Sequence, residues 1–151
     1  MKLYLLKQEQ LLPVAPREAW EFFVDPGNLP LITPANLGFR ITGSLPEKMH
    51  AGMIVTYTVT PFAGFPPVTW VTEITHAGEP HFFVDEQRFG PYRFWHHQHI
   101  FEEAAGGTMM TDLVHYALPF GPLGMLAAPL VRRRLAVIFA FRRQALERRF
   151  R

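Results

Sequence analysis

Three polar side chains on two neighbouring segments have the types and spacing to act on a bound molecule. His97 and His99 alternate with Trp95, so in a β-strand these three side chains lie on one face. If residues 104–107 form the loop of a hairpin, counting across the two strands places Asp112 opposite His99. Directly opposed residues have Cβ atoms about 4.5–5.5 Å apart. We therefore expect a buried contact between His99 and Asp112, with His97 beside it.

The same count surrounds this contact with apolar side chains. It places Met110 opposite Phe101 and Tyr116 opposite Trp95, and we expect their mostly aromatic face to point inward. A shift of the alternation by one residue would turn this face to solvent instead. With positions from other predicted elements, the candidate ligand-binding residues are Trp70, Phe83, Trp95, His97, His99, Met110, Asp112, Tyr116, Phe139 and Arg142.

Imidazoles beside a carboxylate are compatible with several roles. The groups can satisfy each other's hydrogen bonds in the core, or orient the polar end of an apolar ligand. As an acid–base pair, His99 and Asp112 could transfer protons in a catalysed reaction. With His97 they also match a zinc or iron site in ligand type, but alternate histidines occur on many strands. We assign no catalytic residue, no metal ligand and no cofactor.

Arg142 is a second candidate anchor, on the last predicted helix. It lies four residues after Ile138 and four before Leu146, within an apolar stripe at helical spacing. If the stripe faces a cavity, the guanidinium can bind a carboxylate or phosphate of a ligand. At the edge of the stripe, the aliphatic part of its side chain would instead pack on the core and the guanidinium would lie in water.

Breakers and periodicity predict the elements that position these residues. A first strand covers Leu3–Val14, Pro16 opens a helix that ends at Asp25, and Leu29–Pro34 forms one more helical turn. Short connections require antiparallel pairing of the later strands. Six such strands are predicted, separated by Pro and Gly, at residues 38–44, 53–60, 68–75, 81–89, 93–103 and 108–118.

The C-terminal part of the chain predicts one long helix. After a turn at Phe120–Gly124, the last 27 residues contain no Gly and a single Pro, Pro129, where the helix can break. A sheet and one long helix can pack flat against each other. Alternatively, the sheet can curl around the helix and leave a cavity.

One stretch carries a more specific pattern. Residues 83–101 read FVDEQRFGPYRFWHHQHIF, followed by Gly106-Gly-Thr, Asp112-x-Val-x-Tyr and Pro119-Phe-Gly-Pro-Leu-Gly. With the order of elements, this resembles a bacterial ligand-binding branch of the START-like (SRPBCC) superfamily, which also includes polyketide cyclases. The resemblance implies an α+β helix-grip fold: a curved seven-stranded antiparallel sheet around a long C-terminal helix, with one or two short helices after the first strand. It also implies an apolar cavity, but no single reaction.

Composition excludes several classes of protein. The 151 residues are 48% hydrophobic and 19% charged, which suits a single domain, residues 1–151, with a sizeable core. The chain has no cysteine, which excludes disulfides, thiolate catalysis and Cys-ligated metals. No run approaches the roughly 20 apolar residues of a membrane span, and the N-terminus lacks the pattern of a secretory signal. We expect a soluble, cytoplasmic protein.

The net charge of +2 is unevenly distributed. Residues 1–131 carry a net charge of −5, whereas residues 132–151 hold eight Arg and one Glu and carry +7. This basic helix suits a solvated face or docking to anionic lipid headgroups. Without interleaved aromatic residues, it does not predict nucleic-acid binding.

The sequence therefore predicts reversible binding of a hydrophobic or aromatic small molecule between the sheet and the last helix, with no assigned reaction. Two alternatives stay open: a cyclase- or dehydratase-like enzyme, as the resemblance allows, that uses His99 and Asp112 as an acid–base pair, and a module that docks to a membrane or protein through Arg132–Arg151. Both a monomer and a homodimer are compatible with the sequence.

Overall fold

A seven-stranded antiparallel sheet curves around one long helix in the computed structural model, which describes residues 1–46 and 48–151. The strands are β1 (Tyr4–Leu12), β2 (Arg40–Ile41), β3 (Ile54–Val59), β4 (Val68–Gly78), β5 (Phe82–Phe89), β6 (Phe94–Ala104) and β7 (Gly107–Ala117). The helices are α1 (Pro16–Phe23) and α2 (Gly121–Arg149), with 3₁₀ segments at Pro26–Ile32 and Ala35–Leu37. The sheet order β1-β7-β6-β5-β4-β3-β2 leaves β1 and β2 at the edges. This is the predicted helix-grip fold.

The predicted register between β6 and β7 is confirmed. His99 pairs with Asp112 and Trp95 with Tyr116. The pairing continues one step further than predicted, to Ala104 and Gly107, so the loop has two residues rather than four. Glycine permits the shorter turn, because residue 106 adopts a φ of 89° that L side chains rarely take.

Two irregularities in the pairing of β4 with β5 bend the sheet. The register shifts between Val71 and Thr72 and again between Ile74 and His76. Such bulges bend a strand and increase its local twist. The sheet therefore curves at β4 and β5, on the side of the sheet remote from β1.

Helix α2 differs from the sequence prediction at two places. It begins at Gly121, inside the predicted turn, because Phe120 and Gly121 take positive φ values of 67° and 52° and reverse the chain earlier. It also runs unbroken through Pro129. A proline inside a helix removes one backbone hydrogen bond, but Ala128 and Leu135 on either side of it are buried and keep the helix against the sheet.

Two glutamines of β1 fasten α2 to one side of the sheet. Gln8 Nε2 donates to the carbonyl of Phe139 at 3.2 Å, and Gln10 Nε2 donates to that of Arg143 at 2.9 Å. The helix therefore lies close to β1 and its neighbour β7. A cavity separates the helix from much of the inner face of β3 to β6.

Among the described residues, no helix has the length and apolar character needed to span a bilayer.

Candidate functional site

A cavity of about 530 Å³ lies between α2 and the inner face of the sheet. Strands β3 to β6 line it, but no described residue of β7 does. The cause is the position of α2, which covers β7 and stands away from the bent side of the sheet. Residues of the sheet in the wall include Val55, Tyr57, Trp70, Thr72, Ile74, Phe83, Asp85, Trp95, His97 and His99, and those of α2 include Leu123, Val131, Leu135, Ile138, Phe139 and Arg142.

Aromatic rings form much of one wall. Trp70 stacks on Tyr57 with ring centroids 5.8 Å apart and meets Trp95 edge-on at 5.3 Å. Tyr92 lies 4.8 Å from Trp95. Such contacts fix the rings relative to one another, so this part of the wall is held in place without a ligand.

Five buried or part-buried charged and imidazole side chains form a polar cluster against this cavity: Asp85, His97, His99, Asp112 and Arg142. His97 Nε2 lies 2.7 Å from Asp112 Oδ1, and His99 Nε2 lies 2.5 Å from Asp85 Oδ2. The other nitrogen of each ring approaches the opposite carboxylate, at 3.6 Å for His97 Nδ1 and Asp85 and 3.4 Å for His99 Nδ1 and Asp112. The two imidazoles therefore lie between two carboxylates.

The rings of the polar cluster are stacked. The centroids of His97 and His99 are 3.7 Å apart at an interplanar angle of 29°, and Phe83 stacks on the other face of His99 at 3.9 Å. Strand alternation causes this arrangement, since residues two apart on β6 project to the same side. Phe83 reaches His99 because the two are paired across β5 and β6.

Arg142 closes the cluster from the side of α2. Its Nη2 lies 3.3 Å from Asp112 Oδ1 and 3.3 Å from His99 Nδ1. The guanidinium carbon lies 5.4 Å from the ring centroid of Phe23. The Nε atom is buried and has no hydrogen-bond partner among the described residues. Arg142 therefore supplies a buried positive charge to Asp112 and keeps unused donor capacity.

Asp112 and Asp85 are ionised although burial opposes it. Burial by itself would raise the pKa of Asp112, but the charge of Arg142 and the hydrogen bond from His97 lower it well below its usual range. Burial likewise opposes ionisation of Asp85, whose pKa is lowered by the electrostatic effect of His97 and by the hydrogen bond from His99.

The pKa of His99 is also lowered, but for a different reason. Burial and the electrostatic effect of His97 lower the pKa of His99, the hydrogen bond to Asp85 opposes both, and the resulting pKa is about 4. At neutral pH, His99 is therefore an uncharged ring that donates to Asp85 and accepts from Arg142.

The structure brings seven of the ten sequence-predicted site residues to the cavity wall and places three elsewhere. The seven are Trp70, Phe83, Trp95, His97, His99, Phe139 and Arg142. Met110, Asp112 and Tyr116 lie on β7, which α2 covers. Met110 and Tyr116 are core residues that are 1% and 2% exposed, and Asp112 lies behind the histidines.

The expected buried contact between His99 and Asp112 is present, at 3.4 Å between His99 Nδ1 and Asp112 Oδ1, but the shorter contacts of these side chains are diagonal. Although these residues are partners in the strand register, the short contact of Asp112 is with His97 and that of His99 is with Asp85. The reason is the tilt of the rings, which brings Nε2 of each histidine to a neighbouring residue rather than to the directly opposed one.

Asp85 belongs to the site, although alternation along its strand leaves open whether it faces a pocket or solvent, and the default expectation is solvent. It pairs with His97 across β5 and β6 and lines the cavity. Counting across a three-residue loop at residues 90–92 would have found this pairing. Gln87, on the same strand, holds that loop, since its side chain accepts from the amide of Tyr92 and donates to the carbonyl of Tyr92.

Comparisons with known proteins support the fold. The crystal structure of TTHA0849 from Thermus thermophilus matches with a TM-score of 0.74 and 16% identity over 97% of each chain. Ginseng major latex-like protein 151 from Panax ginseng matches with a TM-score of 0.67 and 14% identity over 99% of this chain and 98% of its own. Ara h 8.0201 matches with a TM-score of 0.63 and 16% identity over 96% and 98%. At these identities, the likeness shows the fold alone.

No protein-family model and no curated protein matches the sequence.

Proposed function

We propose that the protein reversibly binds an apolar or aromatic small molecule in the cavity, without obligatory chemistry. The observation that carries the proposal is a cavity of about 530 Å³ with a mainly apolar wall and one polar cluster on it. Small-molecule sites are typically clefts of roughly 300–1,000 Å³ with a few convergent polar groups. The size and the lining of this cavity fit that description.

The polar cluster limits the chemistry of the ligand's polar end. Asp85 offers an ionised acceptor at the wall, while Arg142 offers a donor. A hydroxyl group, which donates and accepts, complements both. The proposed ligand is therefore a mostly hydrophobic molecule with a hydroxyl or similar group at one end.

Native mass spectrometry of freshly purified protein tests this proposal. We expect a mass above that of the 17.4 kDa chain, which returns to the chain mass on denaturation and releases a small molecule. Ligand-free protein should bind the hydrophobic dye ANS and lose it when a tight ligand is added. A bare chain mass together with no ANS binding by the folded protein would contradict the proposal.

A second candidate function, docking to an anionic membrane, is favoured by the surface at the start of α2. Five large apolar residues there are exposed: Phe120, Leu123, Met125, Leu126 and Leu130. Phe120 and Leu123 also line the cavity, and exposed Arg132 and Arg133 follow directly. Apolar residues beside basic ones are typical of helices that lie in a bilayer interface. Docking here would place the cavity at the membrane surface, where an apolar ligand can be exchanged.

Vesicle co-sedimentation tests the docking. We expect binding to vesicles of phosphatidylglycerol and phosphatidylcholine, weaker binding to phosphatidylcholine alone, and a loss on Leu126→Ser with Leu130→Ser. Val137→Ser, at an exposed position of the same helix, is the matched control and should bind like the unchanged protein. Equal sedimentation of all variants, or none of the unchanged protein, would contradict the docking.

A further inference from the structure

Three side chains of the polar cluster place atoms that can coordinate a metal close together at the cavity wall. Asp85, His97 and His99 each offer an atom suited to a metal, and these atoms all lie within 4.8 Å of one another. Asp85 Oδ2 lies 3.6 Å from His97 Nδ1 and 2.5 Å from His99 Nε2. The carboxylate oxygen is thus shared between the two imidazoles.

One pair of atoms in this group is not joined by a hydrogen bond. His97 makes its short contact through Nε2, which lies 2.7 Å from Asp112 Oδ1, so the other ring nitrogen, Nδ1, is the one that lies on the side of Asp85. At 3.6 Å, Nδ1 and Asp85 Oδ2 are too far apart for a hydrogen bond. A cation held by both atoms would join them through two favourable bonds.

We propose that Asp85, His97 and His99 form a binding site for a divalent transition-metal ion such as Zn²⁺ or Fe²⁺. Two imidazoles and one carboxylate are ligands that these ions accept. The sequence alone indicates a different set, in which Asp112 is the carboxylate. The structure exchanges it for Asp85, since Asp85 lies on the cavity side of the rings and Asp112 behind them.

Asp112 lies behind the two proposed histidine ligands and contacts the second nitrogen of each ring. It accepts from His97 Nε2, and its Oδ1 also lies 3.4 Å from His99 Nδ1. Metal-bound histidines usually pass their second N–H to a carboxylate, which fixes the ring and its tautomer. One carboxylate can do this here for both rings, and Arg142 at 3.3 Å balances its charge.

Metal binding requires three local changes. The proton with which His99 Nε2 donates to Asp85 moves to Nδ1, which then donates to Asp112. Arg142 Nη2, which lies 3.3 Å from both His99 Nδ1 and Asp112 Oδ1, turns its N–H from the ring nitrogen to the carboxylate. Rotation of the two rings, which are tilted by 29°, brings both nitrogens to the roughly 2.0–2.1 Å at which zinc binds imidazole. The strand register, which sets the spacing of the three residues, is unchanged.

The proposed site would leave coordination positions of the metal free. Three protein ligands on the wall of a cavity leave coordination positions free for water or for a bound molecule, as in catalytic rather than structural zinc sites. The proposal does not depend on which organic molecule occupies the cavity. It can fail while ligand binding holds, and the reverse is also true.

Calorimetric titration of metal-free protein with Zn²⁺, and visible spectroscopy with Co²⁺, test the site. We expect one ion per chain, a Co²⁺ absorption more intense than that of the aqueous ion, and a higher melting temperature with the metal. Asp85→Asn and His97→Gln should abolish this binding, and Asp112→Asn should weaken it by about 10–100-fold.

His96→Gln is the matched control, because His96 lies on the same strand, half-buried on the opposite face, beside Glu86 at 3.2 Å. It should bind as the unchanged protein does. If a cluster variant does not fold, the Co²⁺ spectrum of the unchanged protein still decides. No uptake by the unchanged protein, uptake that persists in folded His97→Gln, or uptake lost equally in His96→Gln would overturn the proposal.

Discussion

At the scale of single residues, the polar cluster is held together by charge balance. Asp112 is 3% exposed and sits between His97 and Arg142. Removing one partner from a buried ion pair leaves an uncompensated charge and costs roughly 3–5 kcal/mol. The cluster therefore contributes to stability only as a complete set, whatever it binds.

Replacing Asp112 should show this dependence. We expect Asp112→Asn to lower the free energy of unfolding by about 3–5 kcal/mol, because Arg142 then lacks its buried counter-charge. Urea unfolding followed by circular dichroism measures the loss.

The matched control is Glu86→Gln, which removes the carboxylate beside His96 on the opposite face of the same sheet. Both of those side chains are partly exposed, so the expected loss is below about 1 kcal/mol. Equal losses in the two variants would show that the buried pair has no special role.

At the scale of elements, the start of α2 depends on a close backbone approach. A Cβ on Gly124 would lie 1.9 Å from the carbonyl oxygen of Pro119. The first turn of α2 therefore packs directly on the segment that leaves β7. This contact directs the helix across the sheet and along the cavity.

Gly124→Ala should reverse the usual effect of helix propensity. Alanine is favoured over glycine inside a helix by about 1 kcal/mol, yet here we expect a loss of about 1–3 kcal/mol from the clash. Thermal unfolding measures the change. Ala136→Gly, at an exposed position of α2, is the control and should lose about 1 kcal/mol through propensity alone. A stabilised Gly124→Ala variant would show that the close approach does not exist.

At the scale of the whole molecule, the hollow arises because the helix is fastened to one side of a bent sheet. Gln8 and Gln10 bond the helix to β1, and the bulges curve β4 and β5. The side chains between them line open space instead of filling it. A larger side chain at the wall should therefore be tolerated.

Val131→Phe tests whether the cavity has room for a larger side chain. Val131 lines the cavity, so we expect the larger ring to enter it and block ANS and the natural ligand. We expect no loss of unfolding free energy, in contrast to the roughly 1–3 kcal/mol that overpacking a filled core costs.

Val137→Phe is the matched control for this substitution, because Val137 is 56% exposed on the same helix. It should change neither stability nor binding. A strongly destabilised Val131→Phe variant would argue for a filled interior.

The sequence by itself determined the order of elements, the antiparallel sheet and the register that sets His99 opposite Asp112. These depend on local patterns: alternation along β6 and β7, breakers between strands, and helical spacing in α2. Such patterns concern residues that are neighbours along the chain or across one hairpin. Counting positions outward from a turn is therefore enough to predict the register.

Only the tertiary structure decided which side chains face the cavity and which carboxylate each histidine bonds. Asp85 lies opposite His97 in the β5–β6 hairpin, and a count across residues 90–92 recovers that pairing. Its place at the cavity wall, and the absence of Asp112 from the wall, depend on where a helix far along the chain rests on a bent sheet. Side-chain tilt and helix position come from packing of the whole molecule, and no local pattern in the sequence encodes them.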